Sequence, residues 1–263
     1  TYLGLLAKTL NGVLRGAGRL KQSVAESSFD AWTKYYRQDE NAPNAVVSYY
    51  TKGSLVALLL DLTIRAGTRG KRSLDDVMRA LWRRYGRDFY SPKAGTTGRG
   101  VTEADIDALF DEISGLSLKA LLDRAVRGTK DLPLDEAFAK LAIAMAPTSK
   151  AGKPSLEVRT RKEGGDCKLA SVHEGGAAHL AGLSAGDVLV AIDGLRVTAS
   201  NLETTLARYR VGDNVVVHAF RRDELMTFSV ALTADAAQHY AFEPRDKPLA
   251  AAKLRKAWLK VRG

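Results

Sequence analysis

Apolar positions in the first half of the chain recur at helical spacing. In "SLDDVMRALWRRYG", Leu74, Val77, Met78, Leu81, Trp82 and Tyr85 share one face. Ser73 is placed as the N-cap, Asp75 and Asp76 fall in the first turn, and Gly86 is a natural stop. "VTEADIDALFDEISG" repeats the arrangement: Thr102 caps, Ile106, Leu109, Phe110 and Ile113 form the stripe, and Gly115 ends it. "SLKALLDRAVRG", and "PLDEAFAKLAIAMA" after Pro133, predict two further helices, so residues 1–146 read as helical throughout. The glycine-rich "GRDFYSPKAGTTGRG" predicts a loop between Tyr85 and Thr102.

The pattern changes at "APTSKAGKPS", where Pro, Gly, Ser and Lys crowd together and predict a linker over residues 147–154. Beyond it come short runs rich in branched residues, "LEVRTR", "CKLASV", "DVLVAI", "NVVVHAF" and "MTFSVAL", which predict strands. Two helical pieces interrupt them: "GGAAHLAGL", and "SNLETTLARYR" with Ser200 and Glu203 in capping-box spacing. Gly182 is placed for a left-handed helix end, Gly186-Asp187 for a turn into the buried strand Val188 to Ile192, and Asp193-Gly194 for a tight hairpin. The expected fold class is therefore multi-domain α plus β. A helical domain over 1–146 precedes a β-rich domain with two helices over 155–233, and residues 234–263 form a carboxy-terminal extension.

Length and composition agree with two packed domains: 263 residues, 45% of them hydrophobic. The single cysteine, Cys167, excludes an intrachain disulfide framework and reads as a structural thiol. The net charge of +10 changes little, because Lys and Arg are interspersed with acids in "RQDE", "RRDEL" and "LDDVMRALWRR". That is a solvated basic surface rather than a nucleic-acid footprint. No membrane span is predicted: the apolar run Leu55 to Leu62 contains Asp61 and is far shorter than the ~20 residues a bilayer requires. The chain opens at Thr1 inside a helical pattern and reads as a fragment, so the absence of a signal peptide is not evidence about location, which stays unknown between the cytoplasm and periplasm expected of a soluble bacterial protein.

Most familiar catalytic patterns are missing from the sequence. There is no G-x-S-x-G elbow, P-loop or dinucleotide-binding glycine run. None of His173, His179, His218 and His239 has a second histidine four residues on, and "HEGGAAH" spaces its histidines six apart. What remains is "SYYTKGSLVALLLDL", which sets Tyr49, Tyr50, Lys52 and Gly53 at the mouth of an apolar helix. On the residues alone, two phenols there are either packing or chemistry.

Two resemblances bear on that choice. "EGGAAHLAGLSAGDVLVAIDGLRV" resembles the bacterial PDZ pattern, which covers roughly residues 155–233. PDZ domains bind an extended peptide by strand addition. The resemblance implies a groove between a strand at residues 156–160 and a helix at residues 201–209. Leu156, Glu157 and Val158 stand where the family's carboxylate-binding loop has glycines between apolar residues, so Glu157 departs from the pattern. "FDAWTKYYRQDENAPNAVVSYYTKGSLVALLLDLTIR" resembles the M61 family, the glycyl aminopeptidases, which carry a PDZ domain behind the catalytic domain; "FRRDEL" fits the same family.

In the wider clan of gluzincin aminopeptidases, a tyrosine, any residue and then Lys-Gly open a helix beside the active site. Tyr50-Thr51-Lys52-Gly53 matches that signature. The resemblance implies that Tyr50 donates a hydrogen bond to the oxyanion of the tetrahedral intermediate. It also implies zinc held by H-E-x-x-H and a further Glu in the parent protein, with no metal ligands in this chain. The expectation is an inactive carboxy-terminal fragment of a zinc aminopeptidase whose partners are a peptide or protein substrate and a peptide ligand of the PDZ domain. The alternative is a non-catalytic PDZ adaptor.

Overall fold

The computed structural model describes residues 1–91, 99–148, 152–236 and 239–260. The apolar run after Lys52 becomes the centre of the helical domain. It lies in the helix Tyr49–Gly67, whose Leu55, Leu59, Leu62 and Ile64 are fully buried. Around it pack the helices Tyr2–Arg15, Leu74–Leu81 and Leu134–Ala139, contributing Leu10, Val77 and Phe138 to one core. Residues 42–67 are long and apolar enough by composition to cross a membrane. Here their apolar side chains are spent on this core instead.

Several local expectations are borne out. Ser73 and Asp76 form a capping box, as do Thr102 and Asp105, and Gly115 ends its helix in the left-handed region. Others are corrected. The helix after Ser73 does not stop cleanly but widens into a π turn, Trp82–Gly86; a Cβ at Gly86 would sit 2.4 Å from the Trp82 ring. The helix after Pro133 ends at Ala139 instead of running through to 146. Ala142 takes a positive φ, and Ile143–Pro147 forms a strand paired antiparallel with Tyr240–Pro244. A partner nearly a hundred residues away in sequence overrides the local helical period. Ser200 does not cap either: the helix Leu202–Leu206 starts from Asn201, and the Ser200 hydroxyl bonds the Thr198 side chain. The loop expected after Tyr85 lies partly outside the described residues, as do residues 149–151 of the expected linker.

The second domain is built on a sheet whose strands follow chain order: Val158–Glu163, Asp166–Val172, Val188–Ile192, Asn214–Arg221 and Glu224–Ala231. Leu195–Arg196 adds a short hairpin on Val188–Ile192 across Asp193-Gly194, where both residues have positive φ as a type I′ turn requires. Leu156, Leu169, Ile192, Val217 and Val230 fill its core with Leu202 and Leu206 of the Leu202–Leu206 helix. Asp187, from the Gly-Asp turn, is buried and gripped by Arg221 through two 2.8 Å bonds, so the charge the motif brings inside is neutralised.

Residues beyond Ala234 return to the helical domain. Phe242 from the returning strand and Trp258 from the helix Leu249–Leu259 stack on Phe138. The two domains also touch directly: Asn44 donates to the Val172 carbonyl at 2.8 Å and accepts from the Glu174 amide at 3.0 Å. Lys21 pairs with Glu174 beside it.

Candidate active site

Ser48 caps the central helix by accepting the Thr51 amide at 3.1 Å, and its hydroxyl also meets the Tyr35 hydroxyl at 3.0 Å. This fixes the first turn, which carries Tyr49 and Tyr50, against the short 3₁₀ turn Tyr35–Arg37. Tyr50 is 57% exposed at the helix mouth. The Tyr36 hydroxyl lies 2.7 Å from that of Tyr50 and 3.0 Å from that of Tyr49. The Tyr49 and Tyr50 rings are 4.2 Å apart, and Trp32 lies 5.2 Å from Tyr36. The site is thus a tyrosine cluster in which Tyr49 and Tyr50 converge on one partner, rather than lying on separate faces as their adjacency suggests.

The electrostatics separate the two. Hydrogen bonding with Tyr36 first, and with Tyr49 second, holds the Tyr50 hydroxyl below its ordinary pKa. Hydrogen bonding with Tyr36, then with Tyr50, drives Tyr49 well above it. With Tyr36 as donor to Tyr50, the Tyr50 proton is left for an outside acceptor, at a helix amino terminus where the backbone dipole favours negative charge. The sequence reading missed Tyr36. The doubled tyrosine in "WTKYYRQDE" was its only signal, and it lies fourteen positions before Tyr50, across the short helix Ala42–Ala45.

Lys52, read from the sequence as a residue at the start of the helix, is buried at 1% exposure. Its ammonium donates to the Arg19 carbonyl at 2.8 Å, and burial lowers its pKa. Gly53 has open room, with only a Val24 methyl within ordinary contact of a Cβ placed there.

The other site residues lie in the second domain. Leu156 is buried, and its carbonyl accepts from the Ala178 amide at 3.0 Å. Glu157 sits at φ 57°, a conformation suited to glycine, and Gly176 packs against its Cβ. Its carboxylate accepts from the Ala236 amide at 2.9 Å, and burial pushes its pKa up. Val158 opens the strand Val158–Glu163, which among the described residues pairs only with Asp166–Val172 and so forms an edge of the sheet. The strand expected to border the groove is present, and in the loop before it the Glu157 carboxylate is held by the Ala236 amide.

Among the described residues no group of three or more His, Cys, Asp or Glu side chains could hold a metal ion. His179 accepts from the Gly175 amide at 3.3 Å, His218 lies in the strand Asn214–Arg221, and Cys167 is a buried free thiol. The side chains described here do not fit zinc.

Residues 1–56 match the family described as M61 glycyl aminopeptidase, and residues 154–232 match the PDZ domain. The first segment is M61-type and the second is a PDZ domain. A solved aminopeptidase N family protein from Idiomarina loihiensis is 34% identical over 99% of this chain, with a TM-score of 0.86. The chain spans 44% of that relative's length. The HtrA-type protease AlgW solved with a decapeptide is 21% identical, covering 32% of this chain and 30% of its own, at a TM-score of 0.29. A serine endoprotease from Yersinia pestis is 18% identical, covering 30% of each chain, at a TM-score of 0.26. No curated protein matches the chain. The tyrosine cluster begins in the M61-type segment and Tyr50 lies within its matched residues, whereas Leu156, Glu157 and Val158 all lie within the PDZ match.

His173, between the domains, is 8% exposed and carries the next testable consequence. Burial lowers its pKa first, then the charges of Arg15 and Arg159, with Asp235 opposing. The unfolded chain then takes up this proton at a higher pH than the folded one. Stability from this group is complete above about pH 6.5 and is lost as pH falls toward the lowered folded value. The melting temperature should therefore decline below about pH 6.5, and His173→Gln should flatten that limb; an unchanged limb would assign it to other groups.

Proposed function

We propose that this chain is the carboxy-terminal part of a zinc-dependent aminopeptidase that removes small amino-terminal residues such as glycine. Tyr50 acts in it as hydrogen-bond donor to the oxyanion formed on the scissile carbonyl. The carrying observation is the Tyr50 hydroxyl at an exposed helix mouth, 2.7 Å from Tyr36, within the Y-x-K-G sequence of an M61-type segment. A phenol donor so placed strengthens its bond as negative charge develops on the acceptor. Tyr36 orients that proton outward, and Trp32 and Tyr36 offer aromatic surface for a peptide to lie on. Zinc, held by residues outside this chain, would polarise the carbonyl.

The edge strand Val158–Glu163 supports a docking role for the PDZ domain. Glu157 disfavours capture of a peptide's terminal carboxylate, so internal segments are the better ligands.

The test uses the complete protein, a glycyl peptide and its N-acetylated counterpart. Hydrolysis of the free peptide alone, abolished by a chelator and restored by zinc, is the expected result. The 263-residue chain by itself should hydrolyse neither. Chelator-resistant activity removes the zinc reading, and absence of any hydrolysis leaves the adaptor.

A further inference from the structure

We propose that the cavity at the seam between the helical and PDZ domains binds a small oxyanion, a phosphate or carboxylate group, through Arg15, Arg159 and His173. The cavity encloses about 340 Å³. That is the small end of the range for ligand sites, ~300–1,000 Å³. It adjoins the tyrosine cluster but does not depend on it, so the inference stands apart from the aminopeptidase reading.

The lining carries an unbalanced charge. Arg15, Arg19, Arg159 and His173 contribute to the wall, and no acidic side chain does. Arg19 is paired with Asp131 through two bonds. Arg15 and Arg159 have no hydrogen-bond or ion-pair partner among the described residues, although both lie close enough to His173 to depress its proton affinity. Asp235 is the one acid that acts on His173, and its effect is the smallest of those present.

A second observation is independent of the arginines. His173 is more than nine-tenths buried, and its Nε2 has no hydrogen-bond partner. Burying a polar atom without a partner is costly, and the side chain that carries it lines the same cavity. Ser48 and Thr51 add hydroxyls to the same wall. Guanidinium forks matched to a planar or tetrahedral oxyanion give short, charge-assisted bonds.

The donors come from both domains. Arg15 ends the helix Tyr2–Arg15, Arg159 lies on the PDZ edge strand, and His173 follows its neighbour Asp166–Val172. A bound anion would therefore bridge the domains as a shared partner for both guanidinium groups.

Calorimetric titration of the 263-residue chain tests this at fixed ionic strength in chloride, with inorganic phosphate, glycylglycine and glycylglycine amide as probes. Arg159 is exposed and makes no described side-chain bond, so Arg159→Ala should fold normally. The expected result is saturable binding that weakens at least tenfold in Arg159→Ala and partly recovers in Arg159→Lys. Binding of phosphate but not the dipeptide identifies free phosphate as the source of the oxyanion. Binding of the dipeptide but not its amide identifies a peptide terminus. No saturable binding of phosphate or dipeptide, or equal binding by wild type and Arg159→Ala, overturns the proposal.

Discussion

Tyr50→Phe in the complete protein is expected to lower kcat on a glycyl substrate by a factor on the order of 10², with folding and metal content unchanged. The substitution removes one hydroxyl from an exposed ring, so packing is barely disturbed. The hydroxyl's bond strengthens only as the acceptor gains charge, so the loss should fall on kcat rather than KM. Tyr36→Phe separates a direct donor from a supporting one. It keeps the Tyr50 proton but removes the neighbour that lowers its pKa, and its expected loss is only roughly fivefold, the usual net value of one neutral hydrogen bond. Near-normal kcat in Tyr50→Phe would return the cluster to packing. Equal losses in both variants would mean that the phenols work as one network.

The second large effect is on stability. Lys52→Ala is expected to cost about 3 kcal/mol in chemical denaturation. It opens a cavity where a long stem was fully enclosed, a change that typically costs ~2–5 kcal/mol. It also strands the Arg19 carbonyl, while removing a buried charge gives some of the loss back. Lys52→Met keeps the stem and loses the ammonium alone, so its cost should be only about 1 kcal/mol. The bond from Lys52 holds the turn Ala17–Leu20 against the helix that carries Tyr50. Loss below about 0.5 kcal/mol in Lys52→Ala would show that this tie is idle.

Local features were legible in the sequence. Ser73, Thr102 and Gly115 act within one turn of chain, where neighbouring residues decide the outcome. Gly182 and Asp193-Gly194 were legible for the same reason, since positive φ is a property of the residue itself. The strand Ile143–Pro147 was not, because "LAIAMA" suits a helix until Tyr240–Pro244 arrives to pair with it. The enclosure of Lys52 was not legible, because it depends on the Ala17–Leu20 turn, which no periodicity announces. Tyr50 was found through a four-residue signature, whereas Tyr36 became visible only when folding brought it to 2.7 Å. The seam cavity was invisible for a related reason, as Arg15 and Arg159 come from different domains.

The PDZ domain is joined to the helical domain at two places that lie side by side. Pro147 faces Tyr240 on the helical side, and Pro154 faces Ala234 on the PDZ side, so the outgoing and returning chains are paired on both sides of the crossing. In engineering terms the PDZ domain is a cassette: it can be excised and its ends bridged by a short loop without rerouting the core. A protease nick in either crossing would leave the two domains attached through the other. A chain ended after Leu232 would instead forfeit Phe242 and Trp258, and with them the aromatic stack on Phe138.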